Sequence, residues 1–344
     1  MRKRVTMDDI AAELKVSKSL VSRALSDKYG VSEETRSLIK MTALRMGYKI
    51  ATPEKSKNGK PESITLVVAQ HDLQDAGFWV KVINAVEREL QKHRISVFLS
   101  ISQEENKSIP ISIDQAKSSG VIILGQVPME HIAAVNSTGL PVVFIDSKYA
   151  HLRNDHVMVN NFSASYEATR YVVQCGHRKV AFVGDPKYAY SFAERYRGYR
   201  DYVEGRPDVT TFDVIGKCES FYIPFDRSEF LKMINSKDRP TALICANDPT
   251  AFIVYDILAS CNVKIPEDIS VIGFDNVEKC LWLTPKLTTM NVPKEAMGKR
   301  AVELLLQRLQ DPSRSYELVL LSGDLVIRDS VQILEDAKTD KVAK

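Results

Sequence analysis

The chain has no uninterrupted apolar run near the roughly 18 residues that a membrane-spanning helix needs. Its basic N-terminus is not followed by the apolar core of a secretory leader. A cytoplasmic protein with no membrane partner is expected. Cysteine is scarce and unpatterned: Cys175, Cys218, Cys245, Cys261 and Cys280 are odd in number and show no CxxC. That argues against a disulfide framework and for reduced, mostly buried thiols. The six histidines (His71, His93, His131, His151, His156 and His177) show no metal-ligand spacing. GxSxG, HExxH, GxGxxG and the P-loop are all missing. No enzyme, no metal and no cofactor is therefore expected. The tail after Val331, QILEDAKTDKVAK, lacks leucine heptads, which disfavours a helix-bundle tetramer. No short-period repeat and no low-complexity tract is found.

What is there is an ordinary globular composition, 44% hydrophobic and 26% charged, in 344 residues. That is enough for two or three domains. Residues 5–48 carry the densest signal. Thr6 can cap a helix, with Asp9 three residues on, and Ile10, Ala11 and Leu14 form its apolar face. Ser17 can cap a second short helix, buried through Leu20, Val21, Ala24 and Leu25. Ser32 caps a third, with Glu33 and Glu34 in the turn that the helix dipole favours for acids. Its inner face is Ile39, Thr42, Ala43 and Met46. Two short helices across a tight turn, closed by a third, make a helix-turn-helix. The outward residues of the second helix are Lys18, Ser19, Ser22, Arg23 and Ser26. Lysine and arginine can bond guanine edges, and hydroxyls suit bases or phosphates. Charge agrees. Residues 1–61 hold 14 Lys and Arg against 7 Asp and Glu, a net of +7, whereas the whole chain is +3. The remaining 283 residues therefore carry −4, and the positive excess sits on the expected DNA reader.

Residues 49–63, KIATPEKSKNGKPES, are polar and contain two prolines and a glycine, which reads as a linker. Beyond them short apolar runs alternate with helical stretches. The runs are ITLVVA (64–69), ISVFL (95–99), VIIL (121–124), VVFI (142–145), VAFV (180–183), ALIC (242–245) and SVIGF (270–274). Helices are expected near 79–92, 163–175, 226–235 and 249–260. Serial βαβ implies parallel sheets covered on both faces, and about 280 residues suit two such domains.

Ligands of open parallel sheets bind beyond the carboxyl ends of the strands. There the chain places Gln126, Asp146, Asp185, Asn247, Asp248 and Asp275. Asn247 or Asp248, before Pro249, is equally a helix cap. Phe78, Trp79, Phe221 and Tyr222 can stack on a ring or pack in the core. Arg195 can grip a pair of ligand oxygens or bond Asp275. An acid-rich polar cleft favours a polyhydroxylated sugar over a nucleobase. The segment AFIVYDIL (251–258) is apolar nearly all round and is expected near a homodimer interface.

Together these motifs resemble the LacI/GalR family of bacterial transcription regulators over nearly the whole chain. The resemblance rests on VTMDDIAAELKVSKSLVSRAL with GVSEETRSLI, then GHRKVAFVGD, ERYRGYRDYV, ALICANDPTAF, IPEDISVIGFDN and PKLTTMNVPKEAMGKRAVELLL. It implies a small all-α helix-turn-helix domain (1–50) and a linker in place of the usual hinge (51–62). The core would be α/β, with two doubly wound parallel-sheet subdomains like those of periplasmic binding proteins. The first subdomain would span 63–160 and 292–320, the second 161–291 and 321–335, with a tail at 336–344. The function implied is a ligand-responsive regulator, a repressor of a carbohydrate-utilisation operon, acting on double-stranded operator DNA as a homodimer. A sugar or sugar derivative would bind between the subdomains. The alternative is a sugar-binding protein of the transport class with the same core. By resemblance Lys18, Ser19 and Arg23 read bases, and Thr6, Ser17, Ser22 and Ser32 contact phosphates. Asp146, Arg195, Asn247 and Asp275 hold the effector, with Trp79 and Phe221 beside them. Two features depart from the family. Lys15 replaces the usual turn glycine, and the linker offers no apolar wedge between Ile50 and Ile64.

Overall fold

The structure is a computed structural model, and it describes residues 5–25, 31–46, 48, 61–74, 77–103, 113, 117–149, 152–215 and 225–334. Ser26, Phe221, Tyr222, Ile50, most of the linker and the tail from 335 lie outside these residues.

The N-terminal unit is three helices, α1 (Met7–Leu14), α2 (Lys18–Leu25) and α3 (Glu33–Met46). Ile10, Val21, Ala24, Ile39 and Ala43 are fully buried between them. The turn after α1 passes through Lys15 at φ 53°, ψ 41°, the left-handed region that glycine occupies freely. A side chain there costs about 1 kcal/mol, which two carbonyl bonds from the Lys15 N–H to Ala11 and Ala12 help to offset.

The core holds two six-stranded sheets. The first contains β1 (Ser63–Ala69), β2 (Ser96–Ser102), β3 (Val121–Leu124), β4 (Val142–Ile145) and β5 (Asp155–Val159). Helices α4 (Trp79–Lys92) and α5 (Met129–Ser137) interrupt this run. The second follows α6 (Asn161–Gln174) and contains β6 (Lys179–Val183), then α7 (Tyr190–Val203), β7 (Thr210–Thr211), α8 (Arg227–Ile234), β8 (Ala242–Cys245), α9 (Asp248–Ser260), β9 (Ser270–Asp275) and β10 (Thr288–Asn291). The chain then returns through α10 (Lys294–Gln310), β11 (Leu318–Leu321) and β12 (Asp324–Val326).

The strand orders are β11-β5-β4-β3-β1-β2 and β12-β10-β9-β8-β6-β7. All pairings are parallel except β10 with β12. Strands β1, β3 and β4 are buried throughout, which is why they read as unbroken apolar runs. The chain passes between the sheets three times, after Val159, after Asn291 and after Leu321. All strand carboxyl ends that matter to the cleft therefore face one gap. Gly198 has a packing reason. A Cβ there would lie 2.1 Å from the Phe162 carbonyl oxygen, so α6 and α7 approach closely only with glycine.

Candidate DNA-reading face and effector cleft

The caps of the three-helix unit are side chains named from sequence. The Thr6 hydroxyl accepts from the Asp9 N–H (3.3 Å), while the Thr6 N–H donates to Asp9 Oδ2 (2.8 Å). This is a capping box. Ser17 Oγ accepts from the Leu20 N–H (3.2 Å), and Ser32 Oγ from the Thr35 N–H (3.3 Å). Capping alone accounts for these three residue types. Thr6, Ser17, Lys18, Ser19, Arg23 and Ser32 are exposed, and Ser22 is half-buried. Lys18, Ser19, Ser22 and Arg23 follow from α2, whose opposite side carries Val21, Ala24 and Leu25 into the core. The sequence reading missed Asp8 on α1, whose Oδ2 holds Lys18 Nζ at 2.8 Å. A spacing of ten residues across a turn hides that pair.

Between the two sheets lies a cavity of about 90 Å³. Six of the seven effector residues expected from sequence line it: Trp79, Gln126, Asp146, Arg195, Asn247 and Asp275. The seventh, Phe221, lies outside the described residues. Gln126 and Asp146 follow β3 and β4. Asn247 follows β8, and Asp275 ends β9. Asp185 and Asp248 are not among the lining residues.

Arg195, on α7, is buried and fixed on three sides. Its Nε donates to Asn161 Oδ1 (2.8 Å), Nη1 to the Ala246 carbonyl (2.7 Å) and Nη2 to Asp275 Oδ1 (3.2 Å). The guanidinium lies 3.7 Å from the centre of the Phe274 ring. A guanidinium has five N–H groups, so two remain for a ligand. The Asn247 carbonyl oxygen caps α9 through the Thr250 N–H (2.9 Å) and hydroxyl (2.6 Å). Only its amide N–H₂ is left for the cleft. Asp248 is instead the first residue of α9. Its carboxylate accepts from the Thr289 hydroxyl (2.6 Å), the Val277 N–H (2.9 Å) and Cys280 Sγ (3.0 Å).

Asp146 sits at φ 55° after β4, 9% exposed, with Oδ1 bonded to nothing in the protein. Burial raises its pKa to about 6, against the opposing pull of the Arg195 charge and the Asn161 amide. A buried carboxylate oxygen left without a donor is costly, and a ligand hydroxyl can supply one.

The cavity also includes residues that the sequence reading did not single out, chiefly His71, Asp72, Tyr188 and Phe192. The strand-end rule applied to β1 finds His71 and Asp72. Asp72 Oδ1 lies 3.4 Å from His71 Nε2. A Cβ on Gly125 (φ +64°) would fall 2.4 Å from Asp72 Oδ2 and 2.8 Å from the Trp79 ring, so glycine lets both side chains reach the cleft.

A helix-turn-helix joined to two α/β lobes that enclose a polar cleft defines a ligand-responsive DNA-binding regulator. The family described as bacterial regulatory proteins, lacI family, matches residues 6–49, and the periplasmic binding protein-like domain matches 169–331. The HTH-type transcriptional repressor PurR of Histophilus somni is 27% identical over 338 residues, covering 96% of this chain and 99% of the relative. A LacI family transcriptional regulator from Enterococcus faecium with bound ribose superposes with a TM-score of 0.66 at 23% identity, over 79% of this chain and 100% of that one. The lac repressor dimer bound to operator and an anti-inducer gives 0.65 at 22%, over 96% and 100%. At these identities the two structures speak for the fold. With a lacI-family match at residues 6–49 and end-to-end similarity to named transcriptional repressors, the chain is a DNA-binding transcriptional regulator. Among the described residues no helix is long and apolar enough to cross a membrane.

Proposed function

We propose that this regulator is a repressor of a carbohydrate-utilisation operon, binds its operator as a homodimer, and takes a small sugar or sugar derivative between its two lobes. The observation that carries the reading is the cleft itself. Asp146 brings an unsatisfied carboxylate oxygen, Arg195 two uncommitted N–H groups and Asn247 an amide, while Trp79 supplies an aromatic wall. One water needs about 10–15 Å³ of such space. A cavity of about 90 Å³ therefore suits a monosaccharide better than anything larger. The ribose in the Enterococcus faecium structure is a precedent of that size.

On DNA, Lys18, Ser19 and Arg23 read bases, and Thr6, Ser17, Ser22 and Ser32 position the unit on phosphates. Ser26 and Phe221 join the two sets by position. The second copy meets the outer side of α9. There Leu281 and Trp282 are 48% and 72% exposed, and Lys279 Nζ lies 4.6 Å from the centre of the Phe252 ring. Apolar surface of this kind marks an interface, and the lac repressor structure is itself a dimer. Ligand binding closes the lobes about the three chain crossings and shifts the spacing of the two readers. It does so only to the extent that its affinity differs between the open and closed states. A solute-binding role in transport is not favoured, because residues 6–49 match a DNA-binding family. The test is a gel shift on the DNA upstream of the coding gene, with ribose, other pentoses and hexoses added in turn. A retarded band whose midpoint moves with one sugar supports the reading. A band that no sugar moves defeats it.

A further inference from the structure

The reading helix α2 is held at both ends. At its last turn, Arg36 of α3 donates from Nη1 to the Ala24 carbonyl (3.5 Å) and from Nη2 to the Val31 carbonyl (3.4 Å). With Val21, Ala24 and Leu25 in the core, the backbone of α2 has little freedom. Its two cations are tied as well. Arg23 Nε donates to the Ser19 carbonyl (3.4 Å). Lys18 Nζ, at the first residue of α2, donates to Asp8 Oδ2 on α1 (2.8 Å). The start of α1 does not call for Asp8, because Asp9 makes the capping box and already places an acid in the first turn. The Asp8 side chain is 65% exposed and that of Lys18 60%, so the pair faces solvent beside the reading surface. An acid is out of place there by charge alone. Residues 1–61 carry +7, and the partner is a polyanion.

We propose that Asp8 is a specificity-determining residue, which keeps the Lys18 ammonium on a guanine edge and off the phosphates. This rests on the reading of α2 as the base-contacting helix. In water an exposed pair of this kind is weak. Against DNA the balance changes, because phosphates repel the Asp8 carboxylate and the repulsion is least while Lys18 stays beside it. If Lys18 leaves for a phosphate, Asp8 becomes a bare anion against a polyanion. The pair as a whole is neutral, so it gains little from displacing counterions, and its gain must come from a base. An ammonium has three N–H donors. One is on Asp8, and two remain. Guanine presents two acceptors in the major groove, O6 and N7, whereas adenine presents one acceptor and one donor. The ammonium matches the first edge and meets a donor at the second.

The test is fluorescence anisotropy on the full chain. The duplexes are a site selected by the wild-type protein from a random library, single-base variants of that site, and a scrambled duplex of the same length. Each is titrated between about 50 and 200 mM salt. Asp8→Asn is expected to bind every duplex several-fold more tightly, the scrambled one most. Its preference for guanine at one base pair falls about fivefold or more. Its slope of log K against log salt steepens by about 0.9, the mark of one more neutralised phosphate. Asp8→Glu, which still reaches Lys18, keeps the wild-type preference. Lys18→Ala loses the same preference, and adding Asp8→Asn to it changes that preference no further. Both side chains are exposed, so no substitution removes a core contact. An Asp8 that acted only through general charge or through the fold would leave the preference at a single base pair unmoved. If Asp8→Asn tightens all duplexes equally and keeps the guanine preference, the inference is overturned while α2 remains the reader. The same holds if Asp8→Asn still shifts that preference in the Lys18→Ala background. If Lys18→Ala and Arg23→Ala both keep every base preference, the reading of α2 fails and the inference with it.

Discussion

Replacing Arg195 by alanine removes a side chain that ties α7 to α6, to the turn after β8 and to β9 at once. The structure sets the magnitude. Arg195 is 3% exposed and Asp275 5% exposed, so their 3.2 Å contact is a buried pair. Breaking a buried pair from one side leaves an uncompensated charge and costs about 3–5 kcal/mol. The Ala246 carbonyl and Asn161 Oδ1 also lose their donor, and the Phe274 ring loses its stacked partner. These losses share one network and do not add, so about 3–5 kcal/mol stands for the whole. For a domain of this size each kcal/mol moves Tm by about 2–4 °C, and the expected drop is about 6–20 °C. Arg195→Lys keeps the charge but not the planar fork, and should fall between the two. Near-UV circular dichroism during heating is the assay, because it follows aromatic packing around Phe274 and Phe192. A drop below about 2 °C in Arg195→Ala would refute the argument that this guanidinium holds the second lobe together. A lost ligand response in Arg195→Ala is therefore not by itself proof of ligand contact. Asp146→Asn, which keeps the side chain's size and disturbs only its contacts with the Asn161 amide and the Arg195 charge, is the cleaner probe of binding.

Arg23→Ala should cost about 1–3 kcal/mol of operator binding and relax the preference at one base pair. Fluorescence anisotropy with single-base operator variants measures it, and unchanged preference would place the reading helix elsewhere. Asp8→Asn should tighten binding to all DNA several-fold, because it frees Lys18 from an exposed pair worth at most about 1 kcal/mol, and should steepen the salt dependence. Trp282→Glu should shift the protein from dimer to monomer in light scattering, and a dimer of undiminished stability would remove α9 and its neighbours from the interface. Acid stability should reflect two opposed groups. His177, bonded to Thr241 and the Gln332 carbonyl, has its pKa pushed down by burial to about 4. It gives stability above pH 6.5 that is lost as pH falls towards 4. Asp146, raised to about 6, gives stability below pH 3.8 that is lost as pH rises to 6. Each is worth about 3 kcal/mol by linkage, so the two contributions oppose one another between pH 4 and 6. Asp146→Asn should unmask a loss of stability on acidification across that range, measured by urea unfolding, and a flat profile in this variant would count against the His177 assignment.

The fold class was legible in the sequence, as two parallel-sheet lobes and a helix-turn-helix. Strands β3, β4 and β8 stand where their apolar runs lie, because strands buried on both faces must be apolar throughout. Strand β5 was not legible. It begins with Asp155 and His156, which interrupt any apolar run. Asp155 is buried only because Arg308, 153 residues away, meets it with Nε at 3.0 Å and Nη2 at 3.1 Å, and the Glu317 N–H adds 2.8 Å. His156 is accepted because its Nδ1 lies 2.9 Å from the Ser147 carbonyl and its ring stacks on Phe144. Strand β10 hides in the same way, with Thr288 and Thr289 satisfied by Ser330, Arg328 and Asp248. Local pattern cannot show partners supplied by the far end of the chain. In the cleft, Asp146 and Asp275 stood out because each follows an obvious strand, and Arg195 because Gly198 fixes its phase. His71 and Asp72 lead into a 3-10 turn rather than a helix, and Tyr188 and Phe192 lie just before and in the first turn of α7, which carries too few aliphatic residues to show a helical stripe.

The same bonds that make the cleft also limit how it can signal. Asp248 fixes the start of α9 to the turn after β9 through Val277 and Cys280, and the Tyr255 hydroxyl donates to the Pro285 carbonyl (3.2 Å). Asp275 in the cleft and Trp282 on the outer face therefore belong to one stiff unit, because buried, satisfied networks resist local rearrangement. The first lobe is stiff for a different reason. A Cβ on Gly298 would lie 2.8 Å from the Ala85 Cβ, so α10 and α4 are in near-backbone contact. Two rigid lobes joined by three short crossings can change only their mutual angle. A ligand held by residues of both lobes acts on that angle directly, and the helix-turn-helix unit precedes the first lobe in the chain. Coupling then needs no wire of side chains through either lobe. It predicts that stiffening substitutions inside a lobe leave the response intact, while substitutions at the crossings, such as Asn160→Pro, change it without touching ligand or DNA.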